Sequence, residues 1–307
     1  MTRFFALLCL AFALPITAFA CDMSTEARAD AVADYVEEAR PCLTAPPQDF
    51  AFEEQMELAF IRLINQERVA IGLQPLLLRR DMRPAARFHS LDMGMNGFFG
   101  HATPRGRTSG FRISAFDRTM LAQSTAENVA KLEMNWTCTD GSGREISCAD
   151  IMDELNDPFT DAVQRLHRDL MNSPGHRDNI LSPKSTHIAL GVAKSARGVY
   201  VTQLFAAPVG AFEAPLPVRL VAGRDIQANV ELDGLDFKRF ALMQGAKVED
   251  LMKPRVPEDV SGDFELAVRG EDISVSYEGG RAYRSLSFMY LPGPAVTIVP
   301  PKAATGS

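Results

Sequence analysis

Hydrophobic spacing changes period once along this chain, and that change limits the folds open to it. From residue 52 the apolar positions recur three and four apart: Phe52, Met56, Ala59, Phe60, Leu63 and Ile64 share one face of a predicted helix that Gly72 stops. A second helix is expected with Asp81 as its cap, Pro84 in its first turn and Ala85, Phe88 and Met95 on its buried side, ending before Gly97. The stretch FFGHATPRGRTSG then reads as an irregular loop. A third helix is expected from about Asp157-Pro158 through Val163, Leu166 and Leu170 to the breaker Ser173-Pro174-Gly175. Beyond residue 187 the pattern turns extended. Ile188–Ala193 and Val199–Phe205, joined by Ser195-Ala-Arg-Gly198, carry a hairpin signal. Helices followed by strands predict helices layered on a small antiparallel sheet, an α+β arrangement over residues 50–210.

Past Pro208 the segments PLPVRLVAGRDIQANVEL, GDFELAVRG, DISVSYEGG and YRSLSFMYL alternate apolar with polar residues between Gly and Asp turns. They predict a separate β-rich domain over 211–300, with one helical turn at Glu249–Leu251 and a disordered tail over 301–307. Nothing in it has catalytic spacing, and it reads as a stability or interaction module.

The other end begins MTRFFALLCLAFALPITAFA, one positive residue followed by an apolar run and Ala18-Phe19-Ala20. This fits a signal peptide over 1–20 cleaved to leave Cys21, and hence a secreted or periplasmic protein. The alternatives are a membrane anchor, for which Phe4–Ala20 offers only about 17 residues, and lipid modification of Cys21, against which stands the bulky Phe19. A lead-in segment over 21–49 follows, ending at Ala45-Pro46-Pro47. No later stretch is long and apolar enough to span a membrane, so no membrane span is expected after signal cleavage. A net charge of −7 without a basic stripe excludes nucleic acid as a natural partner.

Of five cysteines, Cys9 lies in the leader, leaving Cys21, Cys42, Cys138 and Cys148. Four in an exported chain suggest two disulfides in one of three pairings. Local pairing, Cys21–Cys42 and Cys138–Cys148, is preferred, because the intervening TDGSGREIS favours a tight reversal. A zinc cluster competes poorly without a Cys-x-x-Cys spacing.

Three polar residues stand in or beside turn-forming sequence: His101 in FFGHATP, Glu127 in TAENVA and His176 in SPGHRDN. A histidine straight after Pro-Gly sits on a turn and can be aimed. Two imidazoles and a carboxylate suffice for a divalent ion such as zinc with water in an open position. The same scatter, by spacing alone, is more often structural. His89, in a helix, His167, on an exposed helix face, and His187, before a strand, read as structural or solvated. Asn135-Trp136-Thr137 is a glycosylation sequon.

The ordered blocks QERVAIGLQPLLLRRDMRPAARFHSLDM, FFGHATPRGRTS, AENVA, MNSPGHRDNIL and HIALGVAKSARGVYVTQLFA resemble bacterial members of the CAP superfamily, which also holds the cysteine-rich secretory proteins, antigen 5 and the pathogenesis-related proteins. The resemblance covers about Phe52–Pro208. It implies a CAP-type α-β-α sandwich with a central cleft, followed here by a smaller all-β domain. His101, Glu127 and His176 then match three members of the family's polar tetrad. Animal members add a glutamate after a tryptophan in the preceding helix, where this chain has Ser173 and Leu170, so any zinc or other divalent cation is expected to bind weakly and no cofactor is required. Asn128, Arg177 and Asn179 stand as supporting residues, Arg177 and Asn179 by hydrogen-bonding the loop that fixes His176.

Three functions follow from that resemblance and the residues. The first is a binding module for a small apolar ligand, a cell-wall component or a protein partner. The second is a metal-assisted hydrolase or peptidase with Glu127 as base. The third is a structural adhesion protein with a vestigial cleft. No catalytic residue is assigned. No serine or cysteine has an evident base partner, no His-Glu-x-x-His helix is present, and nothing orients Ser124 or Thr125 beside Glu127. The oligomeric state is left open.

Overall fold

The computed structural model describes residues 21–22, 30–47, 49–134, 137–146, 159–278 and 281–301. The expected leader, Asn135-Trp136 of the sequon, Cys148, Asp157-Pro158 and most of the expected tail lie outside the described residues. The first element is helix α1, Val32–Thr44, bonded back to the start of the lead-in by Cys21–Cys42. That is the local pairing expected. Cys138 is also disulfide-bonded, while its expected partner, Cys148, is outside the described residues.

After the short strand β1 (Ala51–Phe52) comes helix α2 (Glu54–Ala70), with Phe60 and Ile64 fully buried and Gly72 in the left-handed region just past its end. Strand β2 (Leu77–Leu78) and a 3-10 turn (Arg80–Met82) lead into helix α3, Arg83–Asn96. Asp81 lies within the 3-10 turn and is not the helix cap, a position taken by Met82. Ala85 and Phe88 are buried as expected, but Met95, in the last turn, is 39% exposed. Gly97 ends the helix in the left-handed conformation, which glycine adopts without a Cβ clash.

The stretch read as a loop ends in helix α4, Ser109–Phe116, whose N-cap Thr108 accepts from the amide of Phe111. Strand β3 (Met120–Glu133) and the small β4–β5 hairpin (Cys138–Thr139, Glu145–Ile146) follow. Helix α5, Ala162–Asn172, stops at Ser173. Pro174 then opens a second short helix, α6 (Pro174–Ile180), because proline in a first turn has no amide to lose. His176 therefore stands on a helical turn and not on an open loop.

Strands β6 (His187–Ser195) and β7 (Gly198–Phe212) form the expected hairpin, paired antiparallel from Ser195↔Gly198 outward. The sheet order is β1-β6-β7-β3, which leaves β3 at an edge. On one face, α2 and α5 bury Phe60, Ile64, Val163, Leu166 and Leu170 against Ile188, Val192, Val201 and Phe205. On the other, α3 lies so close that a Cβ on Gly191 would come within 2.2 Å of the Ala86–Arg87 backbone. The architecture is thus α+β, a helix–sheet–helix sandwich.

The remaining strands are β8 (Arg219–Val221), β9 (Val230–Leu232), β10 (Asp236–Gln244), β11 (Lys247–Asp250), β12 (Gly262–Glu278), β13 (Arg281–Leu291) and β14 (Ala295–Val299). The helical turn expected at Glu249–Leu251 is replaced by β11 and its exit. The second sheet runs β11-β10-β12-β14-β8 with β13 on β12. The expected boundary at 210/211 falls inside β7, whose last residues pair with β9. Leu121 of β3 enters the second sheet's core with Phe212, Phe240, Leu266 and Val296. Ala33 N donates to Thr297 Oγ1 (3.0 Å), and Arg118 donates to the carbonyls of Leu216, Pro217 and Ala295. These contacts tie the second sheet to the first; alternation reveals strands but not which core they fill.

Candidate functional site

The site lies over the open edge of β3. By alternation along that strand, Glu127 faces α3 and α4 while Asn128 faces α5 and α6. Glu127 is buried, and each of its oxygens has a partner. Oε1 faces His101 Nδ1 at 3.0 Å, and Oε2 accepts from Arg112 Nη2 at 2.5 Å. Arg112, on α4, is itself wholly buried and also donates to the carbonyls of His101 (3.0 Å) and Arg107 (2.8 Å). A buried carboxylate needs such compensation, since an unpaired charge away from water is costly.

His89, on α3, secures the residue before His101: its Nε2 lies 2.9 Å from the Gly100 carbonyl. Burial first and the Arg112 charge second push its pKa down to about 3, so the ring is neutral and donates through Nε2–H. Two successive carbonyls, of Gly100 and His101, are thereby pinned by His89 and Arg112. His101 projects from this anchored turn with its side chain 59% exposed. With Nδ1 held by the Glu127 carboxylate, Nε2 is the ring nitrogen left for a further partner.

His176 approaches from the other face of the sheet. Its carbonyl accepts from Asn128 Nδ2 (3.0 Å), which also donates to Gln203 Oε1 (3.1 Å). Asn179 Nδ2 donates to the Glu127 carbonyl (3.1 Å) and to Asn128 Oδ1 (2.9 Å). Asn128 and Asn179 therefore staple α6 to β3. Arg177 is exposed and makes no side-chain hydrogen bond to the described residues, which corrects its supporting role. The His176 ring is partly buried, and its pKa is lowered by desolvation and by the nearby charge of His101. The two histidines are thus near enough to interact electrostatically, without a hydrogen bond between them.

The other histidines are elsewhere. His167 is buried against α2, 3.7 Å from Glu67, a structural position and not on the exposed helix face expected; burial lowers its pKa. His187 sits beside Thr186 Oγ1 at the start of β6. At the family's fourth tetrad position Ser173 lies between helices, and Leu170 belongs to the core.

A divalent-ion triad does not fit this arrangement. Among the described residues no three His, Cys, Asp or Glu side chains are grouped to hold a metal. Glu127 already has a partner on each oxygen, and one of those partners is a fixed cation. The residue that sequence reasoning missed is Arg112. Its signal was the arginine within FRISAF, downstream of a Thr-Ser cap.

Along the same α4–β3 wall lies a cavity of about 290 Å³, lined by Ile113 and Ser114 from α4, by Met120, Ala122, Ser124 and Thr125 from β3, and by Glu265 and Pro292 from the second sheet. Gln123, also in its lining, bulges from the ladder between Ala122, paired with Pro208, and Ser124, paired with Ala207; Pro208 has no amide to donate. Thr125 is on the same face of β3 as Glu127. Burial raises the pKa of Glu265, partly offset by a hydrogen bond from Ser114.

Because the four histidines with lowered pKa values, His89, His167, His176 and His187, must be protonated in acid, stability is expected to fall as pH drops below about 6.5, the unfolded value, and to keep falling toward the His89 value near 3. The unfolded chain binds more protons throughout that window. His89 alone contributes on the order of 3–5 kcal/mol. Urea titrations from pH 7 to 4 check this, with His89→Gln expected to flatten the slope and an unchanged slope counting against it.

Residues 61–205 match the Cysteine-rich secretory protein family, CAP. The Uncharacterized protein YkwD of Bacillus subtilis (strain 168) is 29% identical over 187 residues, 61% of this chain and 58% of that protein. The chain therefore spans less than two thirds of that relative's length. Among solved structures, an extracellular protein containing a SCP domain from Bacillus anthracis str. Ames is 26% identical, covering 50% of this chain and 41% of that one at a TM-score of 0.35. An outer surface protein from Borrelia burgdorferi is 16% identical, covering 52% of this chain and 98% of that one at a TM-score of 0.38. His101, Glu127, Arg112 and His176 all fall within the matched span. Residues 61–205, a little under half of the chain, are thus similar to the CAP, or Cysteine-rich secretory protein, family.

Proposed function

We propose that this protein is an exported binding module whose groove along α4 and the edge strand β3 takes a small ligand with an apolar body and a hydrogen-bonding head. The observation that carries the reading is the buried Arg112–Glu127 pair, which holds His101 and joins α4 to β3, the two elements that also line the 290 Å³ cavity. Ile113, Met120 and Ala122 supply apolar surface, and His101 Nε2 with Ser124 and Thr125 supplies polar contacts, a division usual for small-molecule sites. Export is supported by the leader-like first 20 residues and by the Cys21–Cys42 disulfide, which needs an oxidising compartment to persist. No described helix is long and apolar enough to cross a membrane.

A hydrolytic reading would draw on the His101–Glu127 pair. It asks Glu127 to activate a water, yet both of its oxygens are already occupied. The test is native mass spectrometry of the purified mature chain. Wild type is expected to retain a ligand of a few hundred daltons that denaturation releases, and Ser124→Trp, which fills the cavity mouth, is expected to lose it. A bare wild-type protein, or equal retention in both, would overturn the binding reading.

A further inference from the structure

Two carboxylates line the cavity between α4, β3 and the second sheet, Asp117 and Glu265, and their surroundings differ. Asp117 is buried and fully engaged. Arg79 donates to both of its oxygens, and the Met120 amide and the Thr119 hydroxyl donate to one of them. Glu265 has no such partner. Its neighbours on β12, Phe264 and Leu266, pack into the second sheet's core, so alternation sets Glu265 on the opposite face, toward α4 and the cavity.

There it is half-buried and forms no ion pair with a described residue. Burial raises its pKa, and the side chain that offsets this is Ser114. Ser114 has a single hydroxyl proton, which the Phe111 carbonyl also accepts at 3.0 Å. A carboxylate is thus left in the cavity wall without a cation, an arrangement that a ligand of the right charge improves.

The rest of the lining restricts what that ligand is. It includes no lysine, arginine or histidine, so an anionic head would meet a carboxylate and no counter-charge. It includes no aromatic side chain, and so none of the ring faces on which a quaternary ammonium group is held. Gln123, Ser124 and Thr125 add oxygens that accept hydrogen bonds. A volume of about 290 Å³, at the lower end for small-molecule sites, gives room for a short alkyl chain.

We infer, on the reading of this wall as a ligand site, that the cavity takes a small amphiphilic amine, its primary ammonium head on Glu265 and its hydrocarbon body against Ile113, Met120 and Ala122. An ammonium N–H donating to Glu265 is a charge-assisted hydrogen bond and supplies the positive charge that the surrounding side chains lack. An alcohol donates a hydrogen bond but carries no charge. A quaternary cation carries the charge but has no proton to donate.

Those differences set the test, with four head groups compared on one tail, because the chain's net charge of −7 draws any cation to its surface. The full mature chain is titrated calorimetrically with n-octylamine, octyltrimethylammonium, 1-octanol and octanoate at about pH 8, where carboxylates are ionised and alkylamines protonated. Octylamine is expected to bind saturably and at least about tenfold tighter than octanol or the quaternary cation, the effect of one hydrogen bond to a charged group. Octanoate is expected not to bind. Glu265→Gln keeps the shape of the side chain and is expected to bring octylamine to the affinity of octanol. Octylamine no tighter than octanol or the quaternary cation in the wild type, octanoate as tight as octylamine, or a preference for the amine that survives Glu265→Gln overturns the proposal. The first two are read on the wild type and do not depend on the variant folding. Binding of octanol without a preference for the amine overturns the ammonium head alone, whereas no binding of any of the four overturns the ligand site with it.

Discussion

Ending the chain after Gly210 is expected to abolish its cooperative unfolding transition. The cut removes Phe212 and the whole second sheet, leaving Leu121, fully buried in the intact protein, without its neighbours. It also removes Ala295 from the cluster around Tyr35 and Phe88, and Thr297 and Asp263, which hold the first amides of α1. Arg118 loses three of its five carbonyl acceptors, having been buried deeply enough for its pKa to fall to about 10. Exposure of several core side chains at about 2–5 kcal/mol each exceeds the total stability of an ordinary domain. Calorimetry of the truncated chain beside the intact one decides the matter; a sharp transition near the wild-type temperature would show residues up to 210 to be self-sufficient.

Arg112→Leu is expected to cost about 3–5 kcal/mol, the price of leaving Glu127 ionised and buried without its cation. The same substitution frees the carbonyls of His101 and Arg107, so the turn that presents His101 loosens as well. Arg112→Leu combined with Glu127→Leu should recover most of the loss, because no charge is then stranded. Urea denaturation of the two variants and wild type gives the comparison. A single variant within about 1 kcal/mol of wild type would mean that the pair is not a structural anchor.

What the sequence made legible was local. The face of α2, the glycines that end α2 and α3, and the β6–β7 hairpin follow from periodicity and turn chemistry, which act over a few residues. Long-range pairing has no such signature. The alternation beyond Pro208 looked self-contained, yet β7 carries straight across that point and Leu121, far earlier in the chain, completes the second core. Helix α4 hid in Gly, Thr and Ser because those residues mark both a loop and a helix cap. His167 was placed on an exposed face because a helical pattern shows which residues share a face but not how many faces the fold covers.

At the site, His101, Glu127 and His176 were recognisable only through the family's ordered blocks, since their spacing alone does not show that they meet. Arg112 could not be found that way. An arginine on a short helix ordinarily reads as solvated, and only the folded chain shows that it is buried on the carboxylate once assigned to a metal.

That exchange of a metal for an arginine is the centre of the account, and zinc calorimetry addresses it most directly. Zinc is titrated at about pH 7.5, above the ordinary histidine range, where the imidazoles are neutral and free to ligate, into wild type, His101→Ala and His176→Ala. With Glu127 held between Arg112 and His101, no saturable binding is expected up to millimolar zinc in any of the three. Stoichiometric binding in the wild type that both alanine variants lose would contradict it, and would make the groove a metal centre.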